Sequence, residues 1–285
     1  MKYLRFIRDG HVGLAAAAEG EEFFGRFLTD IPDYVDLGDA LLAGDKAVAS
    51  LGEYLLKGDP VDFEGVVHLP PLTSPSKIIC IGLNYREHTN ETGSVQPDYP
   101  TIFSRFASSL IGHRQPILRP KVSTNLDYEG EIVVVIGKGG RAIPKTSALD
   151  HVFGYSLFND ATLRDYQTRT PQWTIGKNFD DTGSFGPYIV TADELPAGAK
   201  GLTLQTILNG EIVQESSTNE MIFDVETLIE TVSEVLTLSP GDLIVSGTPS
   251  GIGMARKPPL WMKPGDTCVV TADGLGRLTN PIADE

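Results

Sequence analysis

Two glutamates in the stretch LDYEGEIVVVIG, Glu129 and Glu131, are spaced to act together. They flank Gly130 and precede the β-branched run from Ile132 to Ile136, which predicts a buried strand. Strand side chains alternate between faces, so both carboxylates point the same way. Two carboxylates ~4 Å apart repel by about 4 kcal/mol at an effective dielectric of 20. A hard divalent cation is the economical partner for such a pair, because it takes oxygen ligands. A third carboxylate ends another predicted strand, GYSLFND, at Asp160. Three carboxylates and waters suit octahedral Mg²⁺ or Mn²⁺. The same spacing also describes two exposed strand-end glutamates and an aspartate that caps the following segment, and spacing alone leaves both readings open.

Of the five histidines, His88 has the most suggestive setting. LNYREHTNETG predicts a short helix over 84–93, with Asn84 as N-cap, Glu87 at the third position in a capping-box arrangement, and Gly93 as a left-handed stop. His88 and Glu91 then stand at i and i+3 on one face. A carboxylate beside an imidazole stabilises its charged form and fixes its tautomer, as a general base requires. A surface His/Glu pair on a solvated helix fits the pattern as well. After Asp160, the residues Arg164, Gln167 and Lys177 are candidates to hold an anionic substrate, and each could equally be solvated. Lys177, set in WTIGKNFD, is the strongest of the three.

The elements that must position these residues are mostly strands. Residues 1–70 read as a small N-terminal α+β domain: YLRFI as a strand, HVGLAAAAEGEEFF as a hairpin, and ALLAGDKAVASLGEYLL with helical periodicity. The proline-rich HLPPLTSPSK leads into a main body over 71–285. There, LNGEI predicts an Asn-Gly hairpin turn, and DVETLIETVSEVL predicts a helix capped by Asp224. Few strand–helix–strand alternations occur, so the expected class is α+β, mainly β, a roll rather than a doubly wound sheet.

Composition narrows the partners. A net charge of −15 makes nucleic acid and anionic membrane surfaces poor candidates. No apolar run approaches the ~20 residues of a membrane span, and the N-terminus lacks a signal peptide's apolar region, so a cytoplasmic location is expected. Cys80 and Cys268, the two cysteines, both lie in apolar strand-like runs and read as reduced thiols. SGTPSGIG lacks the lysine of a phosphate-binding loop, and no G-x-S-x-G elbow or zinc signature is present. If the chain is a hydrolase, water is the expected nucleophile.

Taken together, IGLNYREHTNETG, DYEGEIVVVIGKGGRAIP, VFGYSLFNDATLRDYQ, GKNFDDTGSFGP, LNGEIVQ, LSPGDLIVSGTPSGIG and KPGDTCVVTADGLGRLTNP, in that order over roughly 77–285, resemble the fumarylacetoacetate hydrolase family. The resemblance implies a mixed β-sandwich roll as catalytic domain, with a small N-terminal domain and a homodimeric assembly. It implies metal ligands at Glu129, Glu131 and Asp160, with Mg²⁺ or Mn²⁺ as cofactor, and a general-base pair at His88 and Glu91. Arg164, Gln167, Lys177 and Thr248 fall on substrate-contacting positions. Arg105 does too, where many relatives carry lysine. Ile81 stands where a larger eukaryotic member has an extra aspartate ligand, so three carboxylates are expected. The implied substrate is a small anionic 2-oxo acid. The implied reaction is hydrolysis of a C–C bond in a 2,4-dioxo acid, of acylpyruvate, fumarylpyruvate or diketo sugar-acid type, by water that His88 activates. Decarboxylation or isomerisation of 2-hydroxydienedioates or 2-oxo-dicarboxylates in aromatic catabolism is the alternative, and a metal-dependent binding protein without turnover is a third.

Overall fold

A computed structural model describes residues 1–285 except Glu19, Pro32, Thr92, Ser94, Gln96 and Pro97. The chain opens with β1 (Lys2–Arg8), β2 (His11–Ala17) and β3 (Phe23–Phe27), then α1 (Leu37–Ala43), α2 (Asp45–Leu56), β4 (Asp59–Val61) and β5 (Val67–Leu69). β6 (Ile78–Gly82) runs into α3 (Arg86–Glu91) and β7 (Thr101–Arg105), followed by β8 (Leu110–Ile111), β9 (Ile117–Arg119) and β10 (Leu126–Asp127). The long β11 (Gly130–Ile136) and β12 (Val152–Asp160) precede β13 (Thr162–Leu163), α4 (Arg164–Gln167), α5 (Thr174–Lys177) and β14 (Gly183–Thr191). The chain ends with β15 (Thr203–Leu208), β16 (Glu211–Ser217), α6 (Val225–Val235), β17 (Leu243–Val245), β18 (Thr267–Ala272) and β19 (Gly276–Asp284).

A twelve-stranded mixed sheet follows the order β4-β3-β2-β1-β14-β12-β11-β17-β6-β7, with β5 on β1 and β8 on β14. A five-stranded sheet, β16-β15-β18-β19-β9, packs against it. The sheet runs unbroken across the boundary expected at 70/71, because β1 pairs with β14 through Lys2↔Val190 and Tyr3↔Ile189.

Every residue of β11 is buried, since both faces of the large sheet are covered. Ile132, Val134 and Ile136 face the smaller sheet and α6, in a core with Leu204, Val270 and Leu228. Val133 and Val135 face the other way, in a core with Leu37, Leu51, Leu55, Phe158 and Phe185. This alternation puts Glu129 and Glu131 on the face of Val133, and Gly130 on the face of the smaller sheet. A Cβ on Gly130 would lie 2.1 Å from Thr206 Oγ1 of β15, so only glycine lets the two sheets approach there.

Local signals read from the sequence hold in several places. Asn209 and Gly210, at φ +52° and +89°, form the turn between β15 and β16. Asp224 caps α6 by accepting from Thr227 N at 3.0 Å. The helical stretch after residue 37 is two helices, broken at Gly44 with φ +97°. Among the described residues no helix is long and apolar enough to cross a membrane.

Candidate active site

Antiparallel pairing of β11 with β12 assembles the acidic centre. Gly130 sits opposite Asn159, and Asp160 N donates to Glu129 O at 2.8 Å, which brings the end of one strand to the mouth of the other. Asn159 accepts from Glu129 N at 3.0 Å and pins the crossing. Glu129, Glu131 and Asp160 are all buried, and each offers an oxygen within 4.8 Å of the others.

The three carboxylates differ in their partners. Lys177 Nζ bridges Glu129 Oε2 and Asp160 Oδ2, each at 2.6 Å. Arg105 Nη1 lies 2.5 Å from Asp160 Oδ1. Arg164 Nη2 lies 2.7 Å from Glu129 Oε1, close enough to pair but off the hydrogen-bond line. Among the described residues no cation pairs directly with Glu131; its carboxylate accepts from Gly247 N. Burial pushes the Glu129 carboxyl up, but Lys177 and then Arg164 outweigh it and hold the group at about 2. Burial, with Asp160 and Glu129 as like charges, pushes Glu131 well above the usual carboxylate range. A buried carboxylate that lacks a cation of its own, in an all-oxygen donor set, is what a hard divalent cation would complete. The residues present therefore fit Mg²⁺ or Mn²⁺.

α4 and α5 bring the cations in. A Cβ on Gly176 would lie 2.4 Å from Gln167 N, so this glycine lets the two short helices touch. Asp127 anchors Arg164 by accepting from its Nε at 2.8 Å. The same carboxylate accepts from Gly253 N at 2.8 Å and Met254 N at 2.9 Å, tying the glycine-rich loop after β17 to the site. Gln167 Oε1 accepts from Arg164 Nη1 at 2.9 Å. Thr248 Oγ1 donates to Gly130 O at 3.0 Å and accepts from Gln214 Nε2 at 2.9 Å.

His88 Nδ1 lies 2.9 Å from Glu91 Oε1 on α3. Glu91 Oε2 accepts from Gly251 N at 2.9 Å, so one carboxylate orients the imidazole and docks α3 on the glycine-rich loop. The capping box expected at this helix is absent. Asn84 is buried, with Oδ1 accepting from Phe223 N at 2.8 Å and Nδ2 donating to Ser246 O at 2.7 Å. Its amide is directed to those two segments, and α3 starts at Arg86, two residues on. Glu87 accepts instead from Ser250 Oγ at 3.3 Å. Gly93, at φ +67°, follows α3 as expected, while Thr92 lies outside the described residues.

A cavity of about 210 Å³ joins these groups, lined by His88, Glu129, Glu131, Arg164, Gln167, Lys177 and Thr248. Arg105 does not line it. Its guanidinium is buried behind Asp160, bonded also to Ala161 O at 3.1 Å and Thr182 Oγ1 at 2.8 Å, so it braces Asp160 from outside the cavity. Gly183 makes room for it, since a Cβ there would lie 2.9 Å from its Nε and Nη2. The reading from sequence missed Asp127, although it stands two residues before Glu129. It also missed the apolar lining, including Trp173, Phe103 and Leu83. Leu83 holds the left-handed φ of +56° at the cavity edge, backbone strain of the kind that gathers at functional sites.

Comparison with known proteins identifies the family. The family model of the fumarylacetoacetate (FAA) hydrolase C-terminal domain matches residues 77–283. A mitochondrial oxaloacetate tautomerase of Rattus norvegicus is 43% identical over 282 residues, covering 97% of this chain and 88% of the relative. A fumarylacetoacetate hydrolase from Exiguobacterium antarcticum has a TM-score of 0.88 at 34% identity, over 100% of both chains. A 5-carboxymethyl-2-hydroxymuconate delta-isomerase from Mycobacterium smegmatis follows with 0.78 at 30% identity, over 100% of this chain and 99% of that one. With its carboxylate triad, its docked His88 and these matches, the chain belongs to the fumarylacetoacetate hydrolase family.

Proposed function

We propose that this enzyme interconverts the keto and enol forms of a small 2-oxo dicarboxylate of the oxaloacetate class. One observation carries the reading: His88, paired with Glu91, lines the same small cavity as Glu129, Glu131, Arg164, Gln167 and Lys177. The 43% identity to a rat oxaloacetate tautomerase supports it.

Glu129, Glu131 and Asp160 would hold Mg²⁺ or Mn²⁺, which supplies Lewis-acid polarisation of the 2-oxo group when bound. Arg164, Gln167 and Lys177 bind the substrate's carboxylate, with Thr248 beside them. The Nδ1–H of His88 donates to Glu91, which leaves Nε2 as the basic nitrogen. His88 takes the proton from C3, the C–H electron pair becomes the C2=C3 bond, the C2=O π pair moves onto the 2-oxygen, and that oxygen takes up a proton from solvent. The reverse returns the proton to C3. A positioned base of this kind contributes about 10²–10⁴-fold. A homodimer and a cytoplasmic setting belong to the same proposal.

The full-length likeness to a fumarylacetoacetate hydrolase supports a second reading, C–C hydrolysis of a 2,4-dioxo acid. There His88 deprotonates water, which attacks the distal carbonyl, and the cleaved fragment leaves as the enolate of pyruvate. Incubation of the Mg²⁺-loaded enzyme with enol-oxaloacetate and with acylpyruvates separates the two. Decay of the enol absorbance without release of pyruvate or CO₂ is expected. Pyruvate plus a carboxylic acid from acylpyruvates would make it a hydrolase, CO₂ a decarboxylase, and oxalate binding without any turnover a binding protein.

A further inference from the structure

Trp173 has no role in the chemistry above, yet it lines the same cavity. It immediately precedes α5, four residues before Lys177, so both side chains reach the cavity from one short element. The indole is held from two sides. On one side it lies on Gly82 of β6, where a Cβ would sit 2.2 Å from its Cζ3 and 2.8 Å from its Cη2. On the other, its ring meets Phe103 edge-on at 5.4 Å between centroids, and the Phe103 ring lies 5.1 Å from Lys177 Nζ. An aromatic wall thus begins directly at the lysine. Ile81, Leu83, Ile252 and Met254 extend this apolar lining. Trp173 is the largest residue in it, and the glycine beneath it leaves it no freedom to sink further into the sheet.

We infer that Trp173 is a specificity-determining residue, the wall that restricts the cavity to 2-oxo acids with a small group beyond the 2-oxo carbon. This deepens the 2-oxo acid reading and rests on it. Two substitutions act in opposite directions. Trp173→Ala opens the space that the indole fills. Gly82→Ala places a methyl where the indole rests, so the ring must shift, and adds that methyl to the cavity wall that Gly82 lines. Neither alters Glu129, Glu131, Asp160 or His88.

The test is calorimetric titration of the Mg²⁺-loaded enzyme with oxalate, which has no distal group, and with phenylpyruvate, which has a bulky one. Trp173→Ala is expected to tighten phenylpyruvate by at least about tenfold while oxalate stays within about threefold, and Gly82→Ala to weaken phenylpyruvate with oxalate again little changed. An unchanged ratio of the two affinities in both variants overturns the inference. So does a parallel loss of both ligands, which would mean that Trp173 only supports α5. If the ratio moves as expected but the wild-type enzyme turns over no 2-oxo acid, the wall stands and the tautomerase reading falls. If the wild-type enzyme binds neither probe, both fall.

Discussion

Replacing Glu131 by Gln should have two different costs, depending on whether a divalent cation is supplied. The ligand oxygens lie within 4.8 Å of one another, so each like-charged pair costs about 3.5 kcal/mol at an effective dielectric of 20. Lys177, Arg164 and Arg105 pair directly with Glu129 and Asp160, while among the described residues Glu131 makes no ion pair and accepts from Gly247 N. In chelator, burial and the neighbouring carboxylates favour the protonated form of Glu131. Glutamine resembles that protonated form, so the variant should match wild-type stability to within about 1 kcal/mol in EDTA. With Mg²⁺ at a hundred times its dissociation constant, the wild-type protein gains about 2.7 kcal/mol, and the variant loses most of that gain. Urea denaturation of both proteins in EDTA and in Mg²⁺ measures the difference directly. Equal destabilisation in the two buffers, or a wild-type midpoint that ignores Mg²⁺, refutes the assignment of Glu131 as a ligand.

Two further predictions address the frame around the site. Arg105→Met leaves Asp160 without one of its two buried cations and should cost about 3–5 kcal/mol in urea denaturation; Arg105→Lys should fall between, because one ammonium cannot replace a guanidinium that reaches Asp160, Ala161 and Thr182. His113 accepts from Thr279 N through Nδ1 at 3.0 Å, and burial, with His68 and Arg114 nearby, lowers its pKa from 6.5 to about 3. The native state thus stays neutral there while the unfolded chain takes up a proton, so stability is full above 6.5 and falls as pH drops from 6.5 toward 3. His113→Asn keeps an acceptor for Thr279 N, and its stability loss between pH 7.5 and pH 5 should be smaller by about 2 kcal/mol.

Much of this site was legible in the chain because local rules govern it. Period-two alternation places Glu129 and Glu131 on one face, and strand-end chemistry points to Asp160. An i, i+3 helical pair joins His88 to Glu91. What the sequence hid depends on distant pairing. Asn84 has the ideal character of a cap, but segments 139 and 162 residues away claim its amide. Asp127 reads as an ordinary strand residue until the loop at Gly253 and Met254 closes on it. Arg105 looked like a substrate contact on family grounds, and the packing of β7 beside Gly183 turns it inward. Trp173 carried no motif at all; its position follows from the absent side chain at Gly82. The leading residues read as a separate unit because their strands pair locally, and only the β1–β14 ladder shows that they extend the catalytic sheet.

In the proposed reaction His88 moves the proton while the carboxylate triad holds the cation. Measuring Mg²⁺ affinity and the rate of oxaloacetate enol-to-keto conversion in His88→Ala tests both halves at once. Unchanged Mg²⁺ binding with turnover reduced by at least about 10² is the predicted result. Full turnover in His88→Ala would contradict it.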